Sequence, residues 1–567
     1  MQEQSTHHKL FFQLLWISLF LFLPTSLSTS SWAEDTLDKM SLKEKVSQLV
    51  MAKIYTLENH PSLQETLTLL KEYPIGGVLF MQGTIKGQQR AYKLLQSRAS
   101  IPILTAQDNE WGLSMRLENS MRFPRNLMLG ALQNEALIFE LGKEIGNQCK
   151  AVGVHVNFAP VVDINNNPKN PVINDRSFGE NPELVTKKAL LWMKGFQSTG
   201  LIACAKHFPG HGNTELDSHF SLPVIHKSIE DLKQLEWRPF NALIDQGVSS
   251  IMVGHLHLPL ISELPTSLCY TSISTILKKE LGFKGLIFTD AMEMKAILGK
   301  YTEGDTAVLA IKAGNDIIVG PQNIKATIDA IYSATLNNEI SQNDIDQHVL
   351  KILKTKEKLG LHQNSSLPNF DLFSAKAKKL KEKLFKEAIT LASSEIKPTL
   401  SSNKKTAFVQ IGRDVIMKDA LELIYSPYEE QCPKKPPVFF DSLSKEIHGD
   451  YFFIPKISTE NFISDCFEKL RTYDQIVIGI FEMNKFSTKN FGITPSTLSL
   501  LKILNPQKIT LCLFGSPYSL KFFKNQKAIL MAYENDEDAQ IGCSEILLGK
   551  RIPKGVLPVT IEPFTHN

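Results

Sequence analysis

Along much of the chain, short apolar runs alternate with longer amphipathic segments of helical period. The runs are "GGVLFM", "IPILTAQD", "VHVNFAPVVD", "LIACAKHF", "SSIMVGHL", "GLIFTDAM" and "NDIIVG", all between Gly76 and Gly320. They are too short for helices, so they read as buried parallel strands joined by crossover helices. The segment before them, "SLKEKVSQLVMAK" (residues 41–53), has the period of a helix. Such alternation over more than about 250 residues predicts an α/β fold, either a TIM-like (β/α)8 barrel or a doubly wound open sheet. The ends of the runs separate the two. The second finishes at Asp108, the third at Asp163, the fourth at Lys206–His207, the fifth at His255 and the sixth at Asp290. Titratable groups at one end of many strands make the rim of a barrel, whereas an open sheet gathers its ligand groups at one switch point. No G-x-G-x-x-G follows the first run. The expectation is a TIM-like barrel over residues 36–365.

Past the barrel, "FSAKAKKLKEKLFKEAITLASSE", Phe373 to Glu395, reads as a basic amphipathic helix with lysines on its solvated face. It is expected to pack on the barrel, within a linker over 366–400, rather than to bind a membrane. Beyond it, "KTAFVQIG", "DQIVIGIF", "QKITLCLFG" and "KAILMAY" again alternate with helical segments. A smaller α/β sandwich domain is expected over 401–567.

The N-terminus breaks the pattern. "LFFQLLWISLFLFLP" follows a polar start containing Lys9 and leads into "STSSWA". Its length suits a signal h-region and is short for a membrane span of roughly 20 residues. Small residues at Ser31 and Ala33 place cleavage after Ala33, so residues 1–33 read as a signal peptide. The expected location is periplasmic or extracellular, with no stable membrane insertion after cleavage. No cysteine follows the apolar run, which argues against a lipoprotein.

Composition narrows the partners. At 567 residues the chain exceeds one ordinary core, and a net charge of +3 is too small to imply nucleic acid or an anionic membrane. Seven scattered cysteines without C-x-x-C are neither a zinc set nor a dense disulfide framework. Cys204, Cys269, Cys512 and Cys543 sit beside apolar or small residues and read as core, and an exported chain has room for one or two disulfides.

The densest chemistry lies in "AKHFPGHGNTELDSHF", residues 205–220. Pro209, Gly210 and Gly212 exclude a regular strand or helix there. His207, His211 and His219 with Asp217 are of types that ligate zinc, but paired zinc histidines of the zincin kind sit on a helix. Ser218 lacks the G-x-S-x-G elbow of a nucleophilic serine. Proton transfer remains: Asp217 lies two residues from His219, where a carboxylate fixes the tautomer of an imidazole and raises its proton affinity. The residues alone also allow a plain surface loop.

"KHFPGHGNT" followed by "DSH" resembles the acid/base loop of the β-N-acetylglucosaminidases of glycoside hydrolase family 3. The likeness runs through "PILTAQDNEWG", "VNFAPVVDIN", "INDRSFGENP", "IMVGHL" and "IFTDAMEMKAI", in family order, from about Leu42 to Leu359. The ending "GKRIPKGVLPVTI" is similar, less specifically, to the second domain that many members carry. The resemblance implies Asp290 as nucleophile and His219, paired with Asp217, as acid/base. It implies Asp108, Arg176, Lys206 and His207 as the groups holding the sugar. Asn213 stands where an acid is frequent, and "DNEWG" replaces the commoner "DQEGG", so subsite detail departs from the family.

The implied reaction is retaining hydrolysis of terminal β-linked N-acetylglucosamine, with peptidoglycan-derived fragments as expected substrates and no metal or organic cofactor. The Gly-rich loop would let the imidazole swing in when substrate is bound. Three other functions fit the same residues: phosphorolysis of the same glycosides, a β-glucosidase-type specificity, and a catalytically silent sugar-binding protein of the envelope. Retention of Asp290 together with Asp217 and His219 argues against silence.

Overall fold

The structure is a computed structural model that describes residues 31–215, 222–299, 301–363, 366–412, 435–456 and 458–564. Eight parallel strands build the N-terminal domain: β1 (Val50–Thr56), β2 (Gly77–Thr84), β3 (Leu104–Gln107), β4 (Val156–Asn157), β5 (Ile202–Phe208), β6 (Ser250–Val253), β7 (Leu286–Thr289) and β8 (Ile318–Val319). They pair in chain order from β1 to β7, and β8 pairs with β1. A bridge between Phe288 and Ile317 joins β7 to β8, so the sheet closes nearly completely into the expected barrel.

One strand was concealed in the sequence. The helix read over 41–53 spans only Leu42–Gln48, where Ser41 and Glu44 form a reciprocal cap at its start, and β1 begins two residues later. Val50, Met51, Ala52 and Ile54 are buried between β2 and β8. No glycine or proline marks the change of period, so tertiary burial sets the boundary.

The second domain is a six-stranded mixed sheet: β9 (Thr390–Ser394), β10 (Thr406–Ile411), β11 (Gly449–Ile454), β12 (Gln475–Ile480), β13 (Ile509–Leu513) and β14 (Ala528–Met531). The order is β9-β14-β13-β12-β10-β11, parallel except for β9 on β14. Helices Ala375–Ala388 and Val438–Ser444 both pack on Glu537–Leu547, while Glu460–Leu470 packs on Pro495–Ile503. The linker reading over 366–400 therefore needs correction. Its helix stops at Ala388, and Thr390–Ser394 is a strand of the second sheet, with Thr390 and Leu391 paired to Met531 and Leu530.

The domains share one continuous apolar core, running from the helices around β3–β6 into the second sheet. Polar contacts seal the seam. Val556 N–H donates to the Ala131 carbonyl (3.0 Å), Asn165 Nδ2 to the Tyr518 hydroxyl (2.7 Å), and Arg122 pairs with Glu534. All six cysteines within the described residues are free, with Cys204, Cys269, Cys512 and Cys543 buried; Cys432 lies outside them. Among the described residues no helix is long and apolar enough to cross a membrane.

Candidate active site

The carboxyl ends of β3, β5 and β7 bring four of the expected residues to one end of the barrel, and a loop brings a fifth. Lys206 and His207 lie on β5, which is buried at every position. Lys206 Nζ donates to Asp108 Oδ1 (2.8 Å) and pairs with Glu110 Oε1 (2.9 Å). Arg116 Nη2 takes the other oxygen of Asp108 (2.6 Å). Arg176 grips Glu110 with two nitrogens, Nε to Oε2 (3.0 Å) and Nη2 to Oε1 (2.7 Å), the forked geometry that makes such pairs strong. Its Nη2 also lies 3.4 Å from His207 Nε2.

These contacts outweigh desolvation. Burial alone would raise the carboxyls of Asp108 and Glu110, but Lys206 and Arg116 hold the first far below the usual range. Arg176 and Lys206 do the same for Glu110. Burial would likewise discharge Lys206, yet Asp108 and Glu110 push its ammonium up. The result is a rigid lattice of two acids and three cations.

The histidine end is pinned separately. Asp163 accepts from His207 Nδ1 (2.8 Å), from the His207 backbone N–H and from the His211 backbone N–H (2.7 Å). His207 therefore carries its proton on Nδ1 and turns Nε2 toward Arg176. The glycines of this turn have steric causes: Gly210 has φ 123°, and a Cβ on Gly212 would lie 1.7 Å from the Ile164 carbonyl oxygen. His211, a zinc candidate by type, is bonded at Nδ1 to Thr214 Oγ1 (2.9 Å) and driven down to about 4 by burial. Among the described residues no group of three or more His, Cys, Asp or Glu is placed to hold a metal ion.

Asp290, one residue past β7, differs from its neighbours. Its Oδ1 accepts from the Ala291 N–H (2.8 Å), and among the described residues it forms no ion pair. Burial works to raise its carboxyl, but His255, then His207, the Ala291 amide and Lys206 together hold it below the ordinary value. It is thus ionised and only half-buried, with lone pairs left free. Cys204 on β5 registers the convergence of these groups: its thiol is pushed up to about 12 by burial, with Lys206, Asp108 and Asp290 all acting on it.

Asp217 and His219 lie outside the described residues. Both ends of the loop that carries them are described. On one side Asn170 Nδ2 donates to the His211 carbonyl (2.8 Å). On the other, Ile225 N–H donates to the His257 carbonyl (2.9 Å), two residues past His255. Glu110 and Arg116 were not among the sequence candidates, and Asp163 and His255 were seen only as strand ends. An acid two residues after Asp108 was the available signal for Glu110, but its partners are 66 and 96 positions away.

Residues 41–355 match the glycosyl hydrolase family 3 N terminal domain. The chain belongs to glycosyl hydrolase family 3. It is 30% identical over 366 residues to beta-hexosaminidase A of Pseudoalteromonas piscicida, covering 58% of this chain and 61% of that one. It is 29% identical over 349 residues to a beta-N-acetylglucosaminidase/beta-glucosidase of Cellulomonas fimi, covering 60% of this chain and 61% of that one. The chain thus spans 61% of the length of each of these relatives. A solved family 3 beta-N-acetylglucosaminidase from Paenibacillus sp. str. FPU-7 superposes with a TM-score of 0.77 at 30% identity, over 93% of this chain and 100% of that one.

Proposed function

We propose that the protein is a retaining glycoside hydrolase that removes terminal β-linked N-acetylglucosamine, with peptidoglycan-derived fragments as its substrates. One observation carries the reading. Asp108, Glu110 and Asp163 are each locked by two or more donors, whereas Asp290 is ionised and, among the described residues, held by one backbone N–H. A carboxylate in that state, at the carboxyl end of a barrel strand, is free to attack an anomeric carbon. The similarity to a beta-hexosaminidase of Pseudoalteromonas piscicida and to a beta-N-acetylglucosaminidase of Paenibacillus supports the sugar.

In this mechanism the carboxylate of Asp290 bonds to the anomeric carbon as the bond to the leaving oxygen breaks. His219, oriented by Asp217, gives that oxygen its proton. The same imidazole then removes a proton from water, whose oxygen displaces Asp290 and returns the sugar with its original configuration. Asp108, Lys206, His207 and Arg176 present fixed donors and acceptors to the ring. No step draws on a metal or organic cofactor.

The test is chemical. Asp290→Asn should lose nearly all turnover while remaining folded, and a slow fluorinated N-acetylglucosamine donor should label the wild-type peptide containing Asp290. Product of inverted configuration, or a label elsewhere, overturns the reading. His219→Ala should slow cleavage of a disaccharide by about 10²–10⁴-fold and spare the first step with a nitrophenyl glycoside, whose leaving group departs without a proton. Sugar phosphate formed when phosphate is present would reassign the acceptor. We also propose export, supported by the apolar run before Ser31, with a mature N-terminus at or near Glu34 as the outcome to be sequenced.

A further inference from the structure

The ion pair between Glu110 and Arg176 is gripped from outside by one short stretch of chain, residues 122–126. Phe123 N–H donates to the carbonyl of Trp111, the residue after Glu110 (3.1 Å). Asn126 Nδ2 donates to the carbonyl of Arg176 itself (2.6 Å). Between them, the Arg125 guanidinium lies 3.9 Å from the centre of the Trp111 ring and pairs with Asp175 (3.3 Å), the residue before Arg176. The stretch therefore holds the chain at both members of the pair. Trp111, its stacking face, is also a residue by which "DNEWG" departs from "DQEGG".

The anchor of that stretch lies in the second domain. It is Glu534, just past β14, whose Oε1 accepts from the Arg125 backbone N–H (2.6 Å) and whose other oxygen pairs with Arg122. Only 8% of its side chain is exposed. The chain is turned into place by Tyr533, which adopts φ 62°, uncommon for a non-glycine residue, and whose hydroxyl is bonded to Thr390 Oγ1 on β9 (2.7 Å). Arg122 also lies 3.7 Å from Asp536, which Lys381 holds at 2.8 Å. Lys485, again of the second domain, reaches the same Asp175 that Arg125 contacts (3.4 Å). A nearly buried carboxylate that accepts a main-chain N–H fixes the position of a backbone, which an exposed ion pair does not.

We propose that Glu534 is a positioning residue for the reaction: through residues 122–126 the second domain sets where Glu110 and Arg176 stand, and so how tightly the sugar is held. This rests on the reaction proposed above and gives the second domain a part in it. Glu534 acts through residues of the barrel and not on the sugar. Arg176 presents its donors to the ring before the bond breaks as well as during the step. A displaced pair therefore weakens ground-state and transition-state binding alike, which raises KM more than it lowers kcat.

The experiment uses the full chain, with nitrophenyl N-acetylglucosaminide as substrate and N-acetylglucosamine as competing product, below the melting transition of every variant. Active molecules are counted by labelling with the slow fluorinated donor. Glu534→Ala should raise KM and the inhibition constant of N-acetylglucosamine together, by about tenfold, with kcat within about threefold of wild type. Glu534→Gln keeps an oxygen for the Arg125 N–H and should recover most of both. Arg125→Met keeps that N–H but removes the guanidinium, and should raise the same two constants. Combined with Glu534→Ala it should cost less than the product of the single losses, because both act on one stretch of chain. Wild-type constants in the active molecules of Glu534→Ala overturn the proposal, whatever the melting temperature, because a purely structural contact changes only the latter. Wild-type constants in Arg125→Met overturn it as well, so the test does not depend on Glu534→Ala folding, and so does a strictly multiplicative loss in the double variant. A wild type that neither cleaves the substrate nor binds N-acetylglucosamine brings down the proposed reaction instead.

Discussion

Lys206 and Lys356 are both almost wholly buried in the barrel, at opposite ends of its strands. At the carboxyl end, Lys206 touches two carboxylates, and its ammonium is pushed up against the pull of burial. At the amino end, Lys356 donates to the Gln48 side-chain oxygen (2.6 Å) and, among the described residues, meets no carboxylate, and burial drives it down to about 7. His155, beside it, is carried to about 3 by burial and then by the charge of Lys356. Burial alone is therefore no sign of function. Opposing charges turn desolvation into a fixed array of ions at one end, and their absence leaves groups near neutrality at the other.

The comparison breaks most forcefully at Lys206. Lys206→Met leaves Asp108 and Glu110 buried with one arginine each. The expected cost is about 3 kcal/mol or more of stability and roughly 10²-fold or more in kcat/KM, read by denaturant unfolding and by turnover of the nitrophenyl substrate. A variant as active and stable as wild type would show that the ion lattice does not set the site.

Lys356→Met should act in the opposite sense. The folded pKa of Lys356 lies near 7 and its unfolded value near 10.5, so below 7 the native state bears the full penalty of a buried ammonium. As pH rises from about 7 to 10.5 the unfolded chain binds the extra proton and stability increases. The substitution removes that slope, raising stability by up to a few kcal/mol near pH 7 and leaving kcat/KM unchanged. Unfolding curves at several pH values that stay parallel for the two proteins would show that Lys356 is not the group responsible.

The mildest test is Arg116→Lys. The arginine contributes one bond to Asp108, and its Nε is buried without a partner. A lysine keeps the charge, so the expected loss is about tenfold or less in kcat/KM, with little change in melting temperature. A loss as large as that of Lys206→Met would mean that Asp108 needs the planar guanidinium and not only a positive neighbour.

What could be read from the chain follows the same physics. Seven of the eight barrel strands were legible because buried parallel strands are written as continuous apolar runs. β1 was not, because the period of Leu42–Gln48 passes into it without a break, and neither was β11, whose burial alternates irregularly. Asp108, Lys206, His207 and Asp290 were visible as strand ends, and Arg176 through its motif. Glu110 was hidden because a carboxylate's partners are set by the fold: Arg176 is distant in sequence, and a loop acid next to a tryptophan looks like ordinary surface.

The short helix Trp32–Lys39 bears on how the protein should be produced. Its cap is the Ser31 hydroxyl, its first residue stacks on His362 at 5.3 Å, and Ala33 is completely buried. A recombinant chain begun at Glu34 forfeits all three contacts, while one begun at Ser31 keeps them. Loss of the cap alone is worth about 1 kcal/mol, a melting difference of a few degrees between the two preparations. If a signal peptidase cuts after Ala33, the secreted protein starts life with that difference already subtracted, and its first ordered contact becomes the pair between Glu34 and Lys354.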